Sequence, residues 1–427
     1  MISLTLFGLL AVLLLLSVPI AISLGIASTI ALLLSGKVSG SYVPQGLVTS
    51  IDSFPLMAVP FFILAGDLMG QGGLSKRLVD VGRMFFGRYT GGLAIISVVT
   101  CMFFAAISGS GPATVAAVGT ILLPAMVKDG YRPGRAAGLV ASAGSLGVII
   151  PPSIPMVIYA TSANVSVSKM FMAGVIPGLM IGGALILYAW YDARRQGLKP
   201  SAEKLSGRQK LAILNEAKWA LLVPVIILGG IYGGIFTPTE AAAVGVIYGF
   251  FVGAFIYREI SIASLYRIIA GSALTSATIM LIVGTATIFG RALAIEGVPM
   301  ALSNAITSTI DQAWLLLLAV NVILLIVGTF METIAAIIIL TPILLPLATA
   351  LGINAEHFGI VMIVNLAIGM VTPPVGVNLF VASRISGHPL EAIVKGAFGP
   401  LGVMIVLLLL ITYVPALSLG LPALFGM

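Results

Sequence analysis

The residues able to bind ions or acids stand at a few interruptions of otherwise apolar runs. Ser108-Gly109-Ser110-Gly111-Pro112 interrupts one run, and Ile149-Ile150-Pro151-Pro152-Ser153 the next. Gly328-Thr329-Phe330-Met331-Glu332 and Thr372-Pro373-Pro374, followed by Asn378, interrupt two later runs. Each interruption frees main-chain carbonyls and amides, which lipid tolerates only inside protein or along an aqueous cavity. Unwound carbonyls with Ser, Thr or Asn oxygens offer the hard ligands that sodium needs, and neighbouring helix N-termini favour an anion. Ser108, Gly109, Ser110, Gly147, Ile150, Gly328, Thr329, Met331, Thr372 and Pro373 are therefore candidate sodium-binding positions. Ser110, Pro152, Ser153, Glu332 and Asn378 are candidates for contacting an anionic substrate.

A lone Ser-Gly-Ser or Pro-Pro in a membrane helix is ordinarily a kink or a small-residue packing contact; paired occurrence at equal spacing favours a site. Glu332 is a carboxylate within an apolar run, either functional or the partner of a nearby backbone end or Arg. Thr237 with Glu240 three residues on has the form of a capping box. Asn365 is a ligand or an interhelical hydrogen-bonding group, while Asp67 and Arg291 fall at segment ends and read as interfacial.

The elements that carry these residues belong in lipid. Of 427 residues, 59% are hydrophobic and 8% charged, and the mean hydropathy is +1.18. So few charges cannot cover a water-soluble fold of this size. The 49 glycines and 23 prolines suit membrane helices that break around a site. The net charge of +7 sits in short loops, the positive-inside pattern rather than a nucleic-acid footprint. One cysteine, Cys101, excludes an internal disulfide, and His357 and His388 give little material for metal or nucleophilic catalysis. Leu4 to Leu34 lacks a basic leader and exceeds a signal core in length, so it reads as mature structure.

About eleven apolar segments follow, near 3–34, 54–69, 93–127, 136–163, 171–190, 219–235, 239–257, 268–290, 313–350, 358–385 and 400–417. Residues 3–34 read as one long helix or two short ones; the repeat described next favours two, with the N-terminus outside. The stretch 191–218 holds seven basic residues, Lys199 and Lys204 among them, against Asp192, Glu203 and Glu216; it reads as cytoplasmic and as the boundary between halves. The run 93–127 has basic flanks on both sides, so it reads as a re-entrant hairpin entering from the cytoplasm. The run 313–350 has acidic flanks, Glu296 and Asp311 before and Glu356 after, and reads as a hairpin entering from outside. Ile121-Leu-Leu-Pro124 recurs as Ile343-Leu-Leu-Pro346, and Gly147-x-x-x-Pro-Pro152 as Gly369-x-x-x-Pro-Pro374, both 222 positions on. The expected fold is thus an all-α polytopic membrane protein of two inverted repeats, 1–190 and 219–427, joined by the linker 191–218. Each repeat holds scaffold helices, a hairpin (93–127, 313–350) and a broken helix (136–163, 358–385).

Ser108-Gly-Ser-Gly-Pro112, Gly147-Val-Ile-Ile-Pro-Pro-Ser153, Thr237-Pro-Thr-Glu240, Gly328-Thr-Phe-Met-Glu332 and Thr372-Pro-Pro-Val-Gly-Val-Asn378 together resemble the large membrane subunit of a TRAP (tripartite ATP-independent periplasmic) transporter. A common form of that family has Asp where Glu332 stands. The resemblance implies an elevator-type, sodium-coupled importer of an organic acid, of sialic-acid or C4-dicarboxylate type, in the bacterial inner membrane. It implies a small four-helix membrane subunit and a periplasmic substrate-binding protein as partners, and no cofactor beyond sodium as coupling ion. A stand-alone sodium/anion carrier of the same superfamily is the alternative. An intramembrane enzyme is disfavoured, because no acidic pair shares a span and neither His lies in one.

Overall fold

A backbone in lipid must satisfy its own polar groups, and every regular element among the described residues is helical. The computed structural model describes residues 2–198, 200, 206–298, 300–301 and 312–426. Lys199, Glu203 and Lys204 of the basic stretch and Asp311 of the acidic flank lie outside the described residues.

The first apolar stretch forms two helices, α1 (Ile2–Leu15) and α2 (Ile20–Ser35). Pro19, which has no N–H to extend α1, stands at the start of α2. After α3 (Tyr42–Ile51) come α4 (Ala58–Gln71) and the amphipathic α5 (Leu74–Phe86). α5 buries Leu74, Leu78, Val79 and Gly82 and leaves Lys76 and Phe85 exposed. The first hairpin is α6 (Gly92–Ser108) with α7 (Gly111–Lys128). The broken helix is α8 (Pro133–Gly144), α9 (Leu146–Ile149) and α10 (Ile154–Ala163), bent by 41° at its interruption. α11 (Val167–Arg195) closes this half.

In the second half α12 (Gly207–Tyr232), α13 (Pro238–Phe251) and α14 (Ile262–Ile295) precede the hairpin α15 (Ala313–Phe330) and α16 (Thr333–Ala350). α17 (Ala355–Gly369), α18 (Val377–Ser386), α19 (Leu390–Tyr413) and α20 (Ala416–Leu424) follow. Thr237 and Glu240 form the expected capping box on α13, with each side chain accepting from the other residue's backbone N–H at 3.3 and 2.8 Å. Among the described residues nine helices are long and apolar enough to cross a membrane, or ten with the bent pair as one span. The difference from eleven segments arises because 3–34, 136–163 and 358–385 each break into shorter helices, while 313–350 yields two of 18 residues.

The offset of 222 holds at the level of elements: shifting the bounds of α7 by that amount gives the bounds of α16. The start of the first hairpin and the start of α8, which follows it, both pack at the C-terminal end of α11. Gly91 abuts Ala189 and Ala193, and Arg135 pairs with Asp192 at 2.7 Å. The start of the second hairpin and the start of α17, which follows it, both meet the end of α19. The Tyr413 hydroxyl donates to the Trp314 carbonyl at 3.2 Å, and the His357 ring contacts Ser418 Oγ at 2.7 Å and the Thr412 carbonyl at 3.1 Å. His357 is Arg135 shifted by 222, so the second half repeats the contact with an imidazole. The two broken helices meet start to end. Tyr159, late in α10, donates to the carbonyl of Ala355 at the start of α17 at 2.7 Å, while Gly134 and Gly138 of α8 lie against Ala392, Gly396 and Ala397 of α19.

The hydrogen bonds and ion pairs joining distant described residues fall into two sets. One lies within α1–α5 and α12–α14 with their loops: Lys37–Glu296, Arg77–Glu259, Thr239–Phe54, Tyr248–Trp219, Tyr257–Glu216 and Ser272–Asp67. The other lies within α6–α11 and α15–α20, and holds Arg135–Asp192, Tyr159–Ala355, Asn321–Thr412, Asn365–Asn321 and Asn378–Ser145 with those named above. None of these bonds joins one set to the other. Contacts between the sets include the edge-on pair Phe62–Phe171, 6.3 Å between centroids.

Small residues fix the α8–α19 contact. A Cβ on Gly138 would lie 2.5 Å from the Ala397 backbone nitrogen, whereas one on Gly183 meets nothing within 4 Å. Gly138→Ala should therefore destabilise the protein by about 1–3 kcal/mol, read as a lower melting temperature in detergent, with Gly183→Ala close to neutral.

Candidate transport site

One cavity of about 530 Å³ lies where the two sets meet. Its walls on one side are Ile63, Gly66 and Asp67 of α4 and Leu274, Thr275, Thr278, Ile279 and Ile282 of α14. On the other side stand both hairpin tips, Ser108 to Ala113 and Glu332 with Ile334, and both breaks, at Val148, Ile154, Pro155 and Met370. Ser110 and Glu332, related by the offset of 222, thus face the same space.

At the first tip Gly109 takes the left-handed conformation, φ 61°, which turns the chain between the hairpin arms. The Thr114 hydroxyl donates to the Ser110 carbonyl at 2.7 Å and lies 3.1 Å from Ser108 Oγ. Gly147 is pressed against this group: a Cβ there would stand 2.4 Å from the Ser110 carbonyl oxygen. The Ile154 N–H donates to the Gly109 carbonyl at 3.4 Å, tying the tip to the break. Ser108, Gly109, Ser110 and Gly147 therefore gather as one oxygen-rich knot. Its remaining hydroxyl, Thr114, was not singled out in the sequence, although its place one turn into α7 is the signal. Ile150 and Pro152 stay within the buried break, and Ser153 Oγ donates to the Val148 carbonyl at 2.6 Å, away from the cavity wall.

At the second tip Glu332 is the N-cap of α16. Its Oε2 accepts from the N–H groups of Ile334 and Ala335 at 2.9 and 3.1 Å, and the side chain remains exposed toward the cavity. Glu332 thus takes the backbone-end role open to it and also borders the cavity. The relation of Gly369 to its hairpin differs from that of Gly147, for it packs on Gly328 with 2.5 Å between a Cβ and the Gly328 carbonyl carbon. Thr329 and Thr372 donate to their own helices, to the Ile326 and Ile368 carbonyls at 2.7 and 2.8 Å. Gly328, Thr329, Met331, Thr372 and Pro373 sit behind the tip and do not line the cavity.

Asn378 does not line the cavity either. Its amide nitrogen donates to the Ala141 carbonyl and Ser145 Oγ, both at 3.2 Å, joining the second broken helix to the first. Asn365 takes the interhelical role, donating to Asn321 Oδ1 at 2.7 Å.

Asp67, read as interfacial, instead lines the cavity and accepts from Ser272 Oγ at 2.6 Å. Ile63, Gly66 and Asp67 share one helical face, as do Thr275, Thr278, Ile279 and Ile282, and the packing of α4 on α14 turns both faces to the cavity. Asp67 and Glu332 are the only ionisable groups on the wall among the described residues. The N-termini of α7, α10 and α16 also open on this space, so the positive end of three helix dipoles faces it. Among the described residues no group of three or more His, Cys, Asp or Glu side chains comes together.

The cap makes a separable prediction. Glu332→Ala should cost about 0.5–2 kcal/mol of stability, whereas Glu332→Gln, which keeps an accepting oxygen, should cost less. Thermal unfolding of the detergent-solubilised variants measures the difference.

The family model of the tripartite ATP-independent periplasmic transporter, DctM component, matches residues 7–417. The chain is 50% identical over 414 residues to the isethionate TRAP transporter permease protein DctMQ of Oleidesulfovibrio alaskensis; the match takes in 97% of this chain but 65% of that longer protein. It is 42% identical to the C4-dicarboxylate TRAP transporter large permease protein DctM of Rhodobacter capsulatus, over the whole of both chains. Among solved structures the Alcanivorax borkumensis YdaH transporter has the same fold, with a TM-score of 0.63 at 16% identity over 87% of this chain and 88% of that one. The chain is a transport protein, not an enzyme, and a multi-pass protein of the bacterial inner membrane. It belongs to the TRAP transporter DctM family, as a large permease subunit for organic-acid uptake.

Proposed function

We propose that this subunit imports a small organic anion in symport with sodium by an elevator movement. In it α6–α11 and α15–α20 slide as one body along a scaffold of α1–α5 and α12–α14. The carrying observation is that the cavity sits on a seam crossed by none of the long-range hydrogen bonds or ion pairs described above. A seam that those bonds do not cross lets one body slide without stripping polar partners at each step. The proposed frame is an inverted repeat, 1–190 and 219–427, with re-entrant hairpins 93–127 and 313–350 and a cytoplasmic linker 191–218. In each half the start of the hairpin and the start of the broken helix meet at one end of the same long helix, and Tyr159 of the first broken helix bonds the start of the second, which supports it.

The first sodium would lie at Ser108, Gly109, Ser110, Gly147 and Ile150, with Thr114 added. The second would lie at Gly328, Thr329, Met331, Thr372 and Pro373. A wall with two carboxylates, and no Lys or Arg among its described residues, repels an anion until cations arrive, so substrate entry would follow sodium. The acid itself would meet the three helix N-termini, with Ser110 and Glu332 at the wall and Pro152, Ser153 and Asn378 behind it. The named relatives handle isethionate and C4-dicarboxylates, both smaller than the sialic acid that the sequence resemblance admits. A small four-helix membrane subunit and a periplasmic substrate-binding protein would complete the transporter.

A disulfide across the seam tests the movement. A Cβ on Gly290 of α14 would stand 3.7 Å from the Cβ of Pro342 in α16, and one on Gly25 would stand 3.8 Å from that of Thr285, within the scaffold. In a Cys101→Ala background, oxidised Gly290→Cys/Pro342→Cys should lose uptake and regain it on reduction. Gly25→Cys/Thr285→Cys should transport in both states; uptake by the oxidised seam pair would refute the sliding. Ser108→Ala and Thr372→Ala should each raise the sodium concentration for half-maximal uptake about tenfold, with membrane insertion intact. Unchanged sodium dependence in both would remove the sodium assignment.

A further inference from the structure

A second cavity, of about 300 Å³, continues the seam one turn beyond the central one. α4 gives Ile63, Gly66 and Asp67 to the central cavity and Gly70 and Gln71 to this one. α7 gives Gly111 to Ala113 to the first and Ala116, Ala117, Thr120 and Ile121 to the second. The remaining wall is the start of α5, with Gly73, Ser75 and Lys76, together with Glu259.

This wall is built for an oxyanion. α5 runs for 13 residues, and its N-cap is Gly73 at φ 81°, which makes no side-chain cap; the Arg77–Glu259 pair packs over it, a Cβ there lying 2.2 Å from Glu259 Oε2. Such an end attracts negative charge. Ser75, in the first turn, is a lining residue, 3% exposed, and its buried hydroxyl has no hydrogen-bond partner. A buried hydroxyl left unpaired is costly unless a ligand or water completes it. Lys76 adds an exposed ammonium. The one opposing charge, Glu259, is held by Arg77 at 2.6 Å, and that guanidinium also stacks 3.7 Å over the Tyr257 ring and donates to the Gly73 carbonyl at 2.8 Å.

We infer that this cavity is a staging site for the carboxylate or sulfonate of the departing substrate, held by the α5 N-terminus, Ser75 and Lys76. It rests on the transport reading for its role in release, but not for its affinity for an oxyanion. Its position among Lys76, Arg77, Arg83 and Arg88 puts it at the cytoplasmic end of the seam. An anion leaving the central cavity between α4 and α7 meets a fixed positive potential there before reaching water. The arrangement also disfavours return, because the Lys76 ammonium competes with the central helix N-termini for the same charged group.

Thr120, exposed on the opposite wall, is the reporter. In full-length protein in nanodiscs, Thr120→Cys in a Cys101→Ala background should react with a small thiol reagent. Inorganic sulfate at ten times its dissociation constant should slow that reaction about tenfold, by mass action, and succinate should do the same. Adding Ser75→Ala or Lys76→Gln should raise the half-protecting concentration about tenfold, while Arg83→Gln, outside the cavity, should leave it unchanged. Failure of the cysteine to react, or equal rates with and without sulfate and succinate, would overturn the site. So would protection that needs anionic phospholipid in the nanodisc and ignores added anion, which would assign the cavity to a headgroup. Labelling is read without transport, so a chain that binds sulfate here but fails the seam-locking experiment would cost the elevator and leave the oxyanion site standing.

Discussion

Hydrocarbon offers no partner to a main-chain amide or carbonyl, and this constraint organises the molecule. The chain leaves helical bonding in several deep places, and each is enclosed by protein from the opposite half or the neighbouring arm. The Gly109 carbonyl is met by Ile154 N–H, the Ser110 carbonyl by Thr114, the α16 amides by Glu332, and the Met370 carbonyl by Asn378 N–H at 3.0 Å. Concentrating every interruption around one space creates the polar cavity in an otherwise apolar object. It also forces Gly147 and Gly369 to be glycine, since the breaks must approach the hairpins at backbone contact.

The two halves share an outline and differ in chemistry at matched positions. A hydroxyl at 110 faces a carboxylate at 332, Met156 stands where Asn378 crosses to the other half, and Arg135 becomes His357. The same backbone device therefore presents different ligands from its two sides. A symmetric site suits neither an asymmetric acid nor two unlike ion positions.

Much of this was legible in the residues. The helices in 93–127, 136–163, 313–350 and 358–385 begin and end within a few positions of those segments, because Gly, Pro and Ser interrupt the apolar runs. The repeat was visible through Pro124, Pro346 and the two Pro-Pro pairs. What escaped were the elements that a span search passes over: α3, and α5, whose charged face hides a buried one. Asp67 escaped because its role depends on which helix packs beside it. No local pattern in 54–69 announces Ser272, more than two hundred residues away. Asn378 and Ser153 carried the right chemistry, but their neighbours fix them as internal struts, and that depends on rotamer and packing rather than spacing.

The exchange of Arg135 for His357 bears on how the chain comes to be oriented at all. On the proposed inverted frame, two like halves would give a backbone with no intrinsic up or down, able to thread into a membrane either way with the same helices. Charge breaks that degeneracy. The guanidinium bridge to Asp192 belongs to a cluster of cations at the end of α11, whereas the matching corner of the second half is closed by an imidazole, a serine and a main-chain carbonyl. No Lys or Arg occurs between Arg291 and Arg384, so the insertion machinery meets nothing there that resists translocation. On the proposed inverted frame, the corner closed without an arginine would be the one that the positive-inside rule lets across, so a packing detail would double as an orientation signal.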